Sequence, residues 1–330
     1  MQRQAQFKMA YVAAAMAALV LTAISGPAAA QKAGDKLHVV YPFAAGGSGD
    51  GAGRLLTEEL ARHFKMKPVF ENRGGAGGRI GLKAMVGADP DGSELVFAPM
   101  GPMAIQPSFH PNMGFDPFKD FRAVSMVASF DLALSTGTAT RLKTLAEAVQ
   151  FIKANPDKAS SGVPGAGGLP HFFTFMLGAA AKVDFKPVVY RGSGPAITDI
   201  VAGHLPFAML PTSEAQAQHL GGKLRILARS GASRSADLPD VPTFTEAGYK
   251  IQGEGWYAMF APAKMSDAIA DTISKAIITI LAKPEVSKKI ADMGLKAYGT
   301  TPAEMARIHK DSFERWRPAV KASGFKPGAR

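Results

Sequence analysis

The sequence predicts an α/β protein of two domains, assembled from parallel strand and helix units. Short β-branched or apolar runs alternate with amphipathic stretches through most of the chain, which is the pattern of such units. Glycine-rich segments stand where strands give way to helices. With the first 30 of the 330 residues set aside, the remainder still exceeds what one compact core usually holds.

Those first thirty residues read as an export signal. Arg3 and Lys8 precede an apolar run, Met9–Ile24, and a small-residue end, Ser25-Gly-Pro-Ala-Ala-Ala30, so cleavage is expected after Ala30. The run is shorter than the ~20 residues a spanning helix needs, and no stop-transfer charges follow it. The chain has no cysteine, which excludes disulfides, thiolate chemistry and a lipid-modified N-terminal cysteine. Removing Arg3 and Lys8 takes the formal charge from +11 to +9, and the remaining Lys and Arg are scattered singly or in pairs such as Lys288-Lys289. No basic stripe with interleaved aromatics suggests nucleic acid, although a positive field favours anionic ligands near a cleft.

Strands are expected at Leu37–Pro42, Pro68–Phe70, Glu94–Ala98, Leu132–Ser135, Val188–Tyr190, Phe207–Leu210, Leu224–Ala228 and Tyr257–Phe260. Three helix starts carry a capping box, with Thr accepting from the backbone and Glu three residues on reaching back: Thr144/Glu147, Thr243/Glu246 and Thr301/Glu304. Further on, Ile269, Ile273, Ala276, Ile277 and Ile280 line one helical face, and Met305, Ile308, Ser312 and Trp316 another.

Two glycine-rich loops lie between a strand and a helix: Ala44-Ala-Gly-Gly-Ser-Gly-Asp50 and Ser160-Ser-Gly-Val-Pro-Gly-Ala-Gly-Gly168. A third, Gly74-Gly-Ala-Gly-Gly78, follows Glu71-Asn-Arg73. Such loops gather backbone N–H groups at a helix start, where the dipole favours an anion. The spacing fails for a dinucleotide fingerprint, because Ala52 and Arg54 stand where glycine is required. Gly46-Gly-Ser-Gly is followed by Asp50, so it is not a hydrolase elbow, and the seven histidines show no metal-ligand spacing. No catalytic residue, cofactor or metal is implied.

Taken together, the segments resemble the Bug family, the extracytoplasmic solute receptors of tripartite tricarboxylate transporters. The resemblance is carried by Tyr41-Pro-Phe-Ala-Ala-Gly-Gly-Ser-Gly-Asp50, Glu71-Asn-Arg-Gly-Gly-Ala-Gly-Gly-Arg-Ile-Gly81, Pro90-Asp-Gly92, Tyr190-Arg-Gly-Ser-Gly-Pro-Ala196, Leu238-Pro-Asp-Val-Pro-Thr243, Glu246-Ala-Gly248, Trp256-Tyr257 and Ala261-Pro262. It implies a type II periplasmic-binding-protein fold, two α/β lobes joined by crossing hinge strands with a ligand cleft between them. Residues 31–126 with 254–330 would form lobe one and 127–253 lobe two, after a signal peptide at 1–30.

The resemblance further implies that loops matching Phe43–Asp50 and Pro164–His171 hold a ligand carboxylate. Phe43, Ala45, Gly46, Gly47 and Ser48 are then expected to bind from lobe one, and Gly165, Gly167, Gly168 and His171 from lobe two. Arg191 stands at the rim, and Met100 and Leu210 along the ligand body. Asp50 is expected to cap a helix starting near Gly51. Positions that often carry hydroxyls in the family are Pro99, Met100, Pro102 and Gly168 here, and a frequent Asp is Leu210. This pattern points to a monocarboxylate with an apolar body over citrate-like or amino-dicarboxylate ligands, with neutral drift as the alternative. The expected partners are a small carboxylate and the membrane subunits of a transporter, with no nucleic acid and a monomeric chain. A sensory adaptor that docks on a membrane sensor protein is the alternative, and a secreted hydrolase a weaker one.

Overall fold

A computed structural model describes residues 35–322 and Phe325. The expected export signal and its cleavage after Ala30 lie outside the described residues.

The chain opens with β1 (Lys36–Tyr41), whose Leu37, Val39 and Val40 are fully buried. A helix, α1 (Ser48–Phe64), buries Ala52, Leu56 and Leu60 at helical spacing. β2 (Lys67–Asn72) then pairs parallel with β1, and β3 (Glu94–Pro99) pairs parallel on the other side, after the short α2 (Arg79–Ala84). Gly53 lets α1 approach closely: a Cβ there would lie 2.5 Å from the Phe70 ring and 2.8 Å from Phe97.

The strand that organises the molecule is β4 (Phe121–Gly137), seventeen residues long. Its first part pairs antiparallel with β9 (Glu254–Pro262), and β9 pairs antiparallel with β3. From Leu132 onward β4 pairs instead with β7 (Phe207–Pro211) and β8 (Leu224–Arg229). β5 (Ser160–Pro164) lies parallel to β7 and to β6 (Lys186–Tyr190). The path is therefore β2-β1-β3-β9-β4-β7-β5-β6, and β4 passes from one half of it to the other between Asp131 and Leu132.

Helices of the second half are α3 (Leu145–Ala154), α4 (Leu169–Ala181), α5 (Ser193–Val201) and α6 (Thr212–Leu220). The chain then returns through β9 to α7 (Asp267–Leu281), α8 (Pro284–Asp292), a two-residue β10 (Lys296–Ala297) and α9 (Pro302–Ala322). Thr144 and Glu147 form the expected capping box at α3. Thr243 and Glu246 exchange the same pair of bonds, but around a turn and not a helix. At α9, Thr301 and Glu304 do so as expected.

Hydrogen bonds gather where the chain crosses between halves. Ser230 donates its N–H to the Leu132 carbonyl at 2.7 Å, while its hydroxyl accepts from Leu132 N at 2.8 Å and donates to the Gly253 carbonyl at 2.6 Å. Beside it, Asp131 and Arg229 form a largely buried ion pair at 2.5 Å. Both outgoing and returning strands are thus tied at one level.

Candidate functional site

A cleft of about 600 Å³ of empty space, its mouth included, runs between the two halves. Aromatic and proline residues form part of its wall, among them Tyr41, Phe43, Pro99, Pro102, Phe130 and Tyr257. Pro102 belongs to a π-helical turn, Gly101–Ile105, a rare conformation that recurs at functional sites. Among the described residues, no Lys, Arg or His lines the cleft.

Three helices start at this cleft. Their N-caps, Gly47 for α1, Gly168 for α4 and Gly192 for α5, all line it, and none has a side-chain cap. Glycine cannot cap, so N–H groups of each first turn remain for another acceptor, although Pro170 in α4 and Pro195 in α5 supply none and His171 N–H already bonds the Gly168 carbonyl at 3.1 Å. Each end also carries the positive pole of its helix dipole.

Of the residues read from sequence, Phe43, Gly47, Gly165 and Gly168 line the cleft. Ala44 does so, while Ala45 and Gly46 sit farther round the same turn. Ser48 stands just behind Gly47, its hydroxyl 2.8 Å from that of Ser213 and 3.5 Å from Glu214 Oε1. Met100 is fully buried in the main core, and Leu210 in a second cluster with Ala133, Ala196 and Ile200; neither lines the cleft. Arg191 is exposed and outside the lining, whereas the next residues of its block, Gly192 and Ser193, are within it.

Several N–H groups of the two loops already have acceptors. Gly46 N–H donates to Asp50 Oδ2 at 3.2 Å, and Gly165 N–H to the Tyr190 carbonyl at 2.9 Å. Gly167 N–H donates to His171 Nδ1 at 3.0 Å. Burial pushes His171 down to about 4, so the ring is neutral at ordinary pH and its accepting Nδ1 places the proton on Nε2. His171 therefore shapes the second loop from behind. Asp50 does not cap a helix starting near Gly51: α1 starts at Ser48, and the carboxylate braces Gly46, Arg54 and Asn72 instead. Asn72, from the Glu-Asn-Arg block, also donates to the Phe43 carbonyl at 3.2 Å and so fixes the first loop.

The residue that sequence reasoning missed is Glu214, in the first turn of α6. It reaches across the cleft to the α1 N-terminus and takes a backbone bond from Ser48, with the Tyr257 hydroxyl within reach. Burial raises its carboxyl to about 7, against the lowering effect of those donors. Its Oε2 is inaccessible and has no hydrogen-bond partner. Gln106 crosses in the opposite sense: its Nε2 donates to the carbonyls of Gly77 at 2.7 Å and Ala166 at 3.2 Å, one from each half. Those two carbonyls settle the amide orientation, and they leave a buried Oε1 without a donor.

Residues 53–325 match the model of the tripartite tricarboxylate transporter family receptor. The chain belongs to that family. Protein BugT of Bordetella pertussis is 30% identical over 295 residues, 88% of this chain and 90% of its own. Among solved structures, Rpa4515 of R. palustris with adipate superposes with a TM-score of 0.84 at 25% identity, covering 88% of this chain and 97% of that one. MatC from Rhodopseudomonas palustris with bound malate gives 0.82 at 27% identity, covering 86% and 98%. The family receptor thus has the type II periplasmic-binding-protein fold expected, with two α/β lobes, crossing strands and a cleft between the lobes. It is a solute receptor, and its relatives of known structure include the periplasmic binding protein BugD.

Proposed function

We propose that this receptor captures a small carboxylate in the cleft and delivers it to the membrane subunits of a tripartite tricarboxylate transporter, working as a monomer in the periplasm after removal of residues 1–30. Residues 31–126 with 254–330 act as one lobe and 127–253 as the other. The observation that carries the ligand class is the convergence of three uncapped helix N-termini on one cleft without a basic side chain in its wall. A carboxylate accepts from such ends with charge-assisted hydrogen bonds. The adipate and malate held by relatives of the same fold support the same class. Phe43, Gly47, Gly165 and Gly168 form the ligand surface, Ser48 and His171 support it, and the apolar wall of Phe43, Phe130, Pro99 and Pro102 covers the ligand body. Among the described residues no three His, Asp or Glu are grouped to hold a metal, and the reading needs none.

A thermal-shift screen of mono- and dicarboxylates tests it. A ligand at 100 times its dissociation constant adds about 2.7 kcal/mol of stability, a shift of several degrees. A panel in which no carboxylate moves the transition, while neutral sugars or amines do, contradicts the reading.

A further inference from the structure

Not every polar group of the cleft wall is paired. Of its three helix N-termini, that of α1 already faces a carboxylate, Glu214, from the opposite lobe. A Cβ on Gly47 would stand 2.5 Å from Glu214 Oε1, which shows how closely that carboxylate covers the helix end. The ends of α4 and α5, at Gly168 and Gly192, lie on the second lobe beside Ser193. Meanwhile two buried oxygens in the cleft wall, Glu214 Oε2 and Gln106 Oε1, lack a donor, and Gln106 as a residue is 1% exposed. A buried acceptor left unpaired is costly, and a ligand that supplies the proton recovers that cost on binding. The rings of Tyr41, Phe43, Phe130 and Tyr257 stand in the same wall, and an aromatic ring attracts a cation more than an anion.

We propose that Glu214 is a specificity-determining residue, and that the cleft selects carboxylates that also carry an ammonium group: the carboxylate goes to the α4 and α5 ends, and the ammonium donates to Glu214 and Gln106. This rests on the carboxylate reading above and narrows it. It also places the acidic group of the cleft at Glu214, four residues beyond Leu210. Polycarboxylates are disfavoured, because a further carboxylate meets Glu214 with no basic side chain in the lining to offset it.

The groups facing Glu214 are the Tyr41 hydroxyl from β1, Ser48 from α1 with Asp50 behind it, the Tyr257 hydroxyl from β9, and Ser213 on its own helix. Burial holds both tyrosines well above their ordinary value, so they remain protonated near neutrality. Glu214, raised to about 7, is ionised above that pH and protonated below it. An ammonium ligand therefore binds more tightly at pH 8 than at pH 6.

The test is calorimetric titration with pairs that differ by one ammonium: butanoate and 4-aminobutanoate, butanoate and 2-aminobutanoate, glutarate and glutamate, 3-phenylpropanoate and phenylalanine. At pH 8 at least one amino member is expected to bind tenfold or more tightly than its parent. That preference should shrink to threefold or less in Glu214→Gln, and the fall in affinity from pH 8 to pH 6 should disappear with it. A thermal melt of the variant checks that it is folded. Parents bound as tightly as their amino partners, or an amino preference that survives Glu214→Gln, overturns the assignment and leaves the carboxylate reading standing. Failure of every member to bind overturns both.

Discussion

Gly47 and Gly167 stand in matching loops, yet the structure gives them different work. Gly47 has φ −97° and ψ 172°, backbone that any residue adopts, and the nearest obstacle to a side chain is the end of Glu214. Gly167 has φ +66°, and a Cβ there would lie 2.1 Å from the Phe109 ring. That ring packs against Phe172 and Phe325 and has little room to move. Gly47→Val is expected to weaken ligand binding tenfold or more with a nearly unchanged melting temperature. Gly167→Val is expected to lower stability by about 2–4 kcal/mol through strain and overpacking. Calorimetry and chemical denaturation on both variants check this, and a Gly47→Val protein that binds normally would remove the α1 end from the site. The glycines were legible because their types and spacing are local. Glu214 was not: a single acid in a first helical turn is ordinary, and only the pairing of β4 with β7 brings it across to Ser48. Leu210 misled for the same reason, since alternation along β7 turns it into the second core while Pro211 meets the cleft.

Among the elements, the eight strands expected from composition all occur, but β4 was read only at Leu132–Ser135. Its earlier part mixes Ser125, Ser129 and Asp131 with apolar residues, and all three are buried. A strand enclosed on both faces shows no clean alternation, so its length is not written in a local pattern. β5 was absorbed into a glycine-rich loop, because Gly162 and Pro164 lie inside it. The hinge is likewise a product of pairing: Ser230 joins Leu132 to Gly253 through three hydrogen bonds while fully buried. Ser230→Ala removes the hydroxyl and leaves the Leu132 N–H and the Gly253 carbonyl without that partner, at a cost of about 1–3 kcal/mol. A denaturation midpoint equal to that of the unaltered protein would show that the crossing strands do not depend on this tie.

At the scale of the whole molecule, the ordered blocks from Tyr41 to Pro262 were enough to place the chain in its family, because several of them surround the cleft or brace its loops. The formal charge of +11 gave a general preference for anions, but the lining of the cleft contains no basic side chain. The anion site is instead assigned to backbone, to helix ends that composition cannot count. That assignment is the central claim, and a comparison of an acid with its methyl ester tests it most directly. The carboxylate with the largest thermal shift and its ester have nearly the same shape, but only the acid accepts charge-assisted bonds from two helix ends. At about 1.5–3 kcal/mol for each such bond, calorimetric titration should show one acid bound per chain and the ester bound about 100-fold or more weakly. An ester that binds as tightly as its acid would contradict the account.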